Sequence, residues 1–244
     1  MRKRASDTEV LNVSDEIGKS GGGIAREVGK SEATQQRILA AALQLFRERG
    51  FEAATMRDIA AAAKVATGAA YYYFASKDAI VLAFYRQAAD EMSAELENAL
   101  TGTTDLRKCL AAILEIKLHY FEPSRRLLSA LAAHVDPAHP LSPFSEQTRE
   151  IRERDIAVFG RAVDHSGSRL ADDLKAPLPR LLWMYQMGLI LYWIHDESAA
   201  QAKTRALIDR SLRVVVRLLK LSALPLMRPL RRQVLDLYKI VSGS

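Results

Sequence analysis

A short stretch at residues 55–77 concentrates hydroxyl, phenol and cationic side chains that could bond another macromolecule. These groups follow two helical patterns, at residues 56–63 and 67–74. The apolar residues of each pattern fall on one side: Ile59, Ala60 and Ala63 in the first, and Ala70, Tyr73 and Phe74 in the second. Because the gap between them is very short and small residues allow close crossing, the stretch predicts a helix-turn-helix. Its second helix could then lie in a DNA major groove.

Hydroxyl side chains mark where the predicted helices begin. Thr55 precedes the first pattern and Asp58 follows three residues later, which is the spacing of a capping box. Ser76 precedes a further helical pattern that has Asp78 in its first turn, where a carboxylate is favoured by the positive helix end. These start signals support the same division of the stretch into helices.

The same residues resemble, in order and spacing, the DNA-binding signature of TetR-family transcriptional regulators. The matching residues are Arg37, Ile38, Leu39, Ala40, Ala41, Ala42, Phe46, Gly50, Phe51, Ile59, Ala60, Val65, Gly68, Ala69, Tyr71, Tyr72, Tyr73, Phe74, Ser76 and Lys77. The resemblance covers residues 31–85. Two positions depart from it: Lys64 replaces the usual glycine of the turn, and Ala66 replaces the Ser or Thr that caps the recognition helix. The missing cap is expected to cost about 1 kcal/mol.

The resemblance implies which residues contact DNA. Those expected to face the groove are Thr67, Gly68, Ala69 and Tyr72. Those expected at the phosphate backbone are Thr55, Arg57, Tyr71 and Lys77. Hydroxyl groups can bond base edges, alanine can contact a thymine methyl group, and a helix N-terminus favours phosphate. Core packing is the alternative for the aromatic residues; it is favoured for Tyr73 and Phe74, whereas phosphate contact is favoured for Tyr71 and Tyr72.

Composition favours an almost wholly helical protein with a sizeable core. The chain has 244 residues, 49% of them hydrophobic, and Gly and Pro are scarce in its periodic segments. The resemblance implies an all-α, TetR-like fold with a three-helix DNA-binding domain at residues 31–78 and a helical effector-binding and dimerisation domain at residues 79–244. Residues 1–30 lack sustained periodicity and are predicted to form a flexible arm. Alternatively, the basic residues at positions 2–4 reach into a minor groove.

The basic charge of the chain is not placed where DNA binding would need it. The net charge is +6, yet residues 31–80 carry six Lys or Arg against five Asp or Glu. Residues 201–244 carry ten against two. The prediction of DNA binding therefore depends on the motif and not on the net charge.

The helical pattern at residues 178–195 is apolar on nearly every side, so it must be buried on more than one face. In the family that the chain resembles, this helix and the next form a four-helix bundle with their copies in a second subunit. The implied dimer residues are Trp183, Met187, Leu191, Ile194, Arg205, Leu212, Val215, Val216 and Leu219. The candidate residues of an implied effector pocket are His119, Tyr120, Trp183, Tyr185, Tyr192 and His195. Ordinary core packing is the alternative for each pocket residue.

No group of residues predicts catalysis, and neither a metal nor another cofactor is expected. The single cysteine, Cys109, is predicted to be a small core residue. His134, Asp136 and His139 have a spacing that could bind metal, but they lie in a proline-rich stretch with no fourth ligand nearby. Neither a Gly-rich phosphate loop nor a nucleophile elbow is present.

The resulting prediction is a cytoplasmic, homodimeric DNA-binding regulator. It is expected to be a repressor that a small-molecule effector releases from a palindromic operator. The longest apolar run, at residues 181–194, is shorter than the roughly 18 residues that a membrane span needs. One alternative is a DNA-binding regulator without an effector. Another is a helical interaction protein that places its basic helix at residues 226–241 on a membrane surface or a partner.

Overall fold

The computed structural model describes the backbone of residues 14–242 and the side chains of residues 29–240. Within this part of the chain the regular structure consists of α-helices and short 3-10 turns, without a strand, so the predicted all-α class is confirmed. The α-helices are α1 (Ser14–Arg49), α2 (Met56–Ala62), α3 (Thr67–Tyr73), α4 (Lys77–Thr101), α5 (Leu106–Phe121), α6 (Arg125–Leu131), α7 (Arg149–His165), α8 (Asp172–Lys175), α9 (Leu178–Ile194), α10 (Ala202–Ser222) and α11 (Arg228–Ser242). None of the helices described is long and apolar enough to cross a membrane.

The first helix begins earlier than the sequence predicts. α1 starts at Ser14, whereas a flexible arm was expected as far as residue 30. The expectation of an arm is therefore corrected for residues 14–30, which continue the helix without a proline to interrupt it. Residues 1–13, including the basic residues at positions 2–4, lie outside the described part of the chain.

Residues 31–85, which we call the head, pack around one apolar core. Ile38, Phe46, Ile59 and Phe74 are buried together there. The rings of Phe46 and Phe51 meet edge to face with their centroids 5.2 Å apart, a favourable aromatic geometry. This core fixes one side of α3 and leaves its other side at the surface.

Helix α4 passes from the head into a second core. Its first turns contribute Ile80 and Phe84 to the head, and its later turns contribute Met92 and Leu96 to a cluster formed with α5, α7, α9 and α10. We call residues 86–242 the regulatory domain and this second cluster the regulatory core, after the role that the resemblance implies for them. Because one continuous helix belongs to both cores, a shift of the regulatory core would move the head.

Helix α6 makes a second connection between the two parts. Leu127 and Leu131 are buried in the core of the head. The Arg126 guanidinium also donates hydrogen bonds to the backbone oxygens of Arg47 and Glu48, at 3.5 and 3.4 Å, near the C-terminus of α1. The head is therefore held to the regulatory domain through α6 as well as α4.

A polar triad with buried Lys117 and Gln186 and partly buried Asp155 joins α5, α7 and α9 inside the regulatory domain. The Lys117 ammonium pairs with the Asp155 carboxylate and donates to Gln186 Oε1 at 2.7 Å. The Gln186 amide donates in turn to Asp155 Oδ2 at 2.8 Å. Burial lowers the pKa of Lys117, while the neighbouring Asp155 charge acts in the opposite direction. No local pattern marked this triad, because its members lie on three helices far apart in sequence.

Candidate nucleic-acid interface

The turn between α2 and α3 closes in a Schellman arrangement. The Val65 amide donates to the Ala60 oxygen at 3.0 Å, and the Lys64 amide donates to the Ala61 oxygen at 3.1 Å. Lys64 occupies the left-handed position of this motif, with φ at +55°. A residue with a Cβ atom is strained there, which explains why a glycine suits this position in the resembled family.

One side of α3 is exposed and the other is fixed in the head. Tyr72 is 83% exposed and Tyr71 is 52% exposed, whereas Ala70 is fully buried. Of the other residues expected to face the groove, Thr67 and Gly68 are exposed and Ala69 is half-buried. This side of α3 is therefore open to contact with another macromolecule.

The last two aromatic residues of this stretch, at the end of α3 and just after it, contact other residues of the head. Phe74 is buried, and half-buried Tyr73 accepts a hydrogen bond from the Ser31 hydroxyl at 3.3 Å. Ala66, at the N-cap of α3, makes no side-chain hydrogen bond to the helix. The recognition helix therefore depends on packing through Ala70 and Phe74 for its position, because it has no capping side chain.

The predicted capping box of α2 is present. Thr55 Oγ1 accepts from the Asp58 amide at 3.1 Å, and Asp58 Oδ2 accepts from the Thr55 amide at 3.1 Å. The Thr55 hydroxyl also donates to Asp58 Oδ2 at 2.5 Å, and these bonds lower the pKa of Asp58. The structure thus assigns Thr55 to holding the start of α2, next to the exposed Arg57 in its first turn.

The Lys77 side chain bonds to residues of the head, whereas it was expected to contact a DNA phosphate. Its ammonium donates to the backbone oxygens of Phe51 and Glu52, at 2.7 and 3.3 Å. It also lies 4.6 Å from the centroid of the Phe51 ring, a cation–π distance. Lys77 thereby ties the start of α4 to the loop after α1, and Ser76 caps α4 as predicted, accepting from the Ala79 amide at 3.2 Å.

Comparison with known proteins agrees with this geometry. Residues 38–84 match the family described as bacterial regulatory proteins, tetR family. Residues 110–239 match the tetracyclin repressor-like C-terminal domain, so the two matches cover most of the head and most of the regulatory domain. The chain belongs to the TetR family. TetR-family proteins are DNA-binding transcriptional regulators, which is the class that α2 and α3 indicate.

Curated TetR-family relatives are similar over parts of the chain. The HTH-type transcriptional repressor KstR2 of Rhodococcus jostii is 29% identical over 153 residues, which cover 60% of this chain and 73% of KstR2. The HTH-type transcriptional regulator HbdR of Aromatoleum sp. is 36% identical over 73 residues, which cover 30% of this chain and 32% of HbdR.

Solved structures of two FadR proteins share the fold over about three quarters of this chain. FadR of Bacillus subtilis, in complex with stearoyl-CoA, superposes with a TM-score of 0.57 at 14% identity and covers 74% of this chain and 97% of its own. FadR of Thermus thermophilus, in complex with lauroyl-CoA, superposes with a TM-score of 0.54 at 21% identity and covers 73% and 92%. Identities this low establish the shared fold and nothing finer.

The six candidate effector residues of this TetR-family chain lie in different surroundings. His119 is exposed, and the Tyr120 phenol donates to Glu91 Oε2 at 2.5 Å. Burial and the bonded Glu91 carboxylate both raise the pKa of Tyr120. Trp183 is buried in the regulatory core, and the Tyr185 hydroxyl bonds the Ser211 hydroxyl at 2.5 Å.

Tyr192 and His195, two of those six residues, share a concave surface. They line an open groove of about 690 Å³ at the C-terminal end of α9, together with Lys203. The predicted pocket is therefore corrected: aromatic and histidine side chains spaced along α5 and α9 point in different directions and serve mainly as packing or surface residues.

The predicted dimer residues need a similar correction. Trp183, Ile194, Leu212 and Val216 are buried within their own protomer. Met187, Val215 and Leu219 pack against the same core, and only Leu191 and Arg205 are exposed. The apolar residues that α9 and α10 expose are instead Met184, Leu191, Tyr192, Leu207, Val214, Leu218 and Leu221. We call these seven residues the exposed α9–α10 face. The spacing of 207, 214, 218 and 221 along α10 follows one helical side and could have identified it.

No cluster of three or more metal-binding side chains occurs among the described residues. His134 and His139 stack their rings, with centroids 3.8 Å apart, and His139 Nδ1 accepts from the Leu141 amide at 3.2 Å. Cys109 is buried, and its thiol donates to the Thr103 oxygen at 3.2 Å.

Proposed function

We propose that the protein is a homodimeric repressor that binds a palindromic operator through α3 and is released by a small-molecule effector. The observation that carries the proposal is the exposure of Tyr72 on a helix whose opposite side is fixed by Ala70 and Phe74. A short, rigid helix with exposed hydroxyl and aromatic groups suits direct contact with base edges.

The test of DNA binding is the Tyr72→Ala variant. A lost base or phosphate contact costs roughly 1–3 kcal/mol, so the affinity for the operator should fall roughly 5- to 150-fold. Leu226→Ala is the matched control, because Leu226 is 88% exposed and lies outside the head. Fluorescence anisotropy on the duplex upstream of the protein's own gene measures both. Equal affinities of Tyr72→Ala and the wild type would contradict the proposal.

The exposed α9–α10 face supports the homodimer. Apolar residues that line one side of two adjacent helices are destabilising in water unless another surface covers them. A second copy supplies the same face through a twofold axis and forms a four-helix bundle. Such a dimer presents two copies of α3, which suits an operator with two half-sites.

Leu218→Glu tests this interface. Near a twofold axis the substitution brings the two new carboxylates close to each other and to the partner's apolar side chains. The dissociation constant of the dimer should therefore rise roughly tenfold or more. Leu226→Glu adds the same charge at an exposed apolar residue outside this face. Analytical ultracentrifugation measures the two dissociation constants. A dimer that tolerates Leu218→Glu as well as Leu226→Glu would exclude this face.

The proposed effector is a coenzyme A thioester. The support is that the FadR proteins of similar fold are described in complex with stearoyl-CoA and lauroyl-CoA. Since α4 belongs to both cores, a ligand that shifts α4 would change the separation of the two α3 helices. A preference of a few kcal/mol for the non-binding conformation is enough.

A panel of acyl-CoA thioesters of different chain lengths, added to the protein–operator complex, tests the effector. At least one member should release the operator at micromolar to millimolar concentration, and the corresponding free fatty acid serves as control. If no thioester changes the affinity for the operator, regulation by this effector class is wrong, and the alternative of a DNA-binding regulator without an effector gains support.

One observation favours a second candidate, a helical protein that binds an anionic membrane surface through α11. Leu226, Leu230, Leu237 and Ile240, in α11 and the turn before it, are exposed, and α11 also carries several arginines. Co-sedimentation with anionic liposomes, for the full chain and for a variant that lacks residues 226–244, tests it. Equal sedimentation of the two proteins would remove this candidate.

A further inference from the structure

A basic groove lies at the end of the regulatory domain where α4 is followed by α5. It has a volume of about 840 Å³ and is bordered by the start of α5, the loop after α7 and one side of α10. Its charged residues are Asp105, Arg107, Asp209, Arg213, Arg217 and Lys220. This volume is in the range of small-molecule binding sites.

The cations of the groove exceed its carboxylates. Asp209 pairs with both Arg107, at 3.4 Å, and Arg213. Asp105 is occupied as the N-cap of α5, where it accepts from the Lys108 amide at 3.0 Å. Among the described residues, no carboxylate forms an ion pair with Arg217 or Lys220, so two cationic side chains at this groove are left for an anion.

The groove also has an apolar floor. Leu106 and Val216 line it and are buried members of the regulatory core. Cationic side chains above an apolar floor suit a ligand that carries phosphate groups on an organic body, because arginine binds phosphate with two parallel hydrogen bonds.

Operator DNA is not the anion that fits this place. Helix α4 has 25 residues, and its N-terminal end lies in the head. At 1.5 Å per residue, the groove lies roughly 36 Å from that end. Phosphates contacted by α3 are therefore out of reach of Arg217 and Lys220.

The groove and the exposed α9–α10 face use different sides of α10. Arg213, Arg217 and Lys220 each precede by one position an exposed apolar residue of α10, namely Val214, Leu218 and Leu221. One position along a helix is a rotation of about 100°. A dimer formed through the apolar side thus leaves Arg213 and Lys220 accessible, whereas Arg217 lies at the border of the two sides, because Leu221 follows it by four positions, a rotation of about 40°.

We infer that this groove binds the phosphate-bearing end of the small-molecule effector through Arg217 and Lys220. The role as effector site rests on the proposed function, whereas binding of the phosphate ligand does not. Thr104 and Asp105, which border the groove, lie just after the end of α4 at Thr101. A ligand held there acts on the end of the helix whose other end is anchored in the head.

Isothermal titration calorimetry on DNA-free protein tests the site with three probes: free coenzyme A, inorganic pyrophosphate, and pantetheine, which lacks phosphate. Coenzyme A and pyrophosphate should bind, and pantetheine should not. In the double variant Arg217→Gln, Lys220→Gln, coenzyme A binding should weaken roughly 10- to 100-fold, because two charge-assisted contacts are lost. The control variant Lys30→Gln, Arg86→Gln removes the same charge from exposed residues outside the groove and should bind normally.

Several results would overturn the inference. These are absence of binding by both phosphate probes, equal binding by the groove and control variants, and binding of pantetheine as strong as that of coenzyme A. The groove variant can also be compared by sedimentation with phosphatidylglycerol vesicles. If it loses more of its vesicle binding than of its coenzyme A binding, the groove would be assigned to a lipid headgroup instead.

Operator affinity, measured separately, keeps this inference apart from the proposed function. If coenzyme A binds the wild type and not the groove variant, yet no thioester alters operator binding, the site stands and the release mechanism fails. If a thioester releases the operator equally well from the groove variant, the mechanism stands and the site is wrong.

Discussion

Replacing Lys64 by glycine should stabilise the protein, because Lys64 holds a conformation that disfavours any residue with a Cβ atom. Its φ is +55°, and its amide closes the turn onto the Ala61 oxygen at 3.1 Å. The left-handed conformation costs an L-residue roughly 1–2 kcal/mol. Glycine avoids this cost but loses roughly 0.5–1 kcal/mol more through its greater freedom in the unfolded chain. The net gain in the free energy of unfolding should be about 0.5–1 kcal/mol.

Lys64→Ala is the matched control for this prediction. It removes the same exposed ammonium but keeps the Cβ atom, so its free energy of unfolding should stay within about 0.5 kcal/mol of the wild type. Urea denaturation followed by circular dichroism compares the three proteins, and an unchanged dependence on urea keeps the comparison valid. If Lys64→Gly is no more stable than Lys64→Ala, the strain assigned to the turn between α2 and α3 is wrong.

Two further predictions concern buried and capping charges of the regulatory domain. Lys117→Met leaves Asp155 and the buried Gln186 without their cation, so it should lower the free energy of unfolding by about 3 kcal/mol. Adding Asp155→Leu should recover most of this loss, as urea denaturation can measure. A double variant no more stable than the single one would contradict this prediction. Asp196 accepts hydrogen bonds from Ser198 and Thr204, which lower its pKa, so Asp196→Asn should be less stable than the wild type at neutral pH. Because the ionised form is the stabilised one, this difference should shrink as the pH falls below roughly 4, and a difference that stays constant down to pH 3 would refute the role of the charge.

The parts of the fold that depend on neighbouring residues could be predicted from the sequence. The capping box of Thr55 and Asp58 and the cap at Ser76 are contacts within three residues, and the structure contains both. The turn between α2 and α3 is also local, and the departure at Lys64 marks the position whose φ is positive. Helical spacing likewise separated buried Phe74 from exposed Tyr72.

The parts that depend on tertiary contacts could not be predicted from spacing alone. Helix α9 is apolar nearly all round, so its sequence does not tell which side faces its own protomer; Trp183 and Ile194 face inward and Leu191 outward. Lys77 is a cation near a predicted DNA surface, yet its partner is the Phe51 carbonyl, 26 positions earlier in the chain. The Lys117 triad was invisible for the same reason, since its partners come from other helices.

The most direct test of the central claim, that two copies of α3 read duplex DNA, is selection of binding sites from a pool of random duplexes by the purified protein. The enriched sequences should contain an inverted repeat whose half-sites lie about one helical turn, roughly 10–10.5 base pairs, or a multiple of it apart. The Tyr72→Ala variant should enrich this repeat more weakly than the wild type, in line with its lower affinity. Enrichment of no sequence, enrichment of a single unrepeated site, or equally strong enrichment of the repeat by Tyr72→Ala would contradict the account.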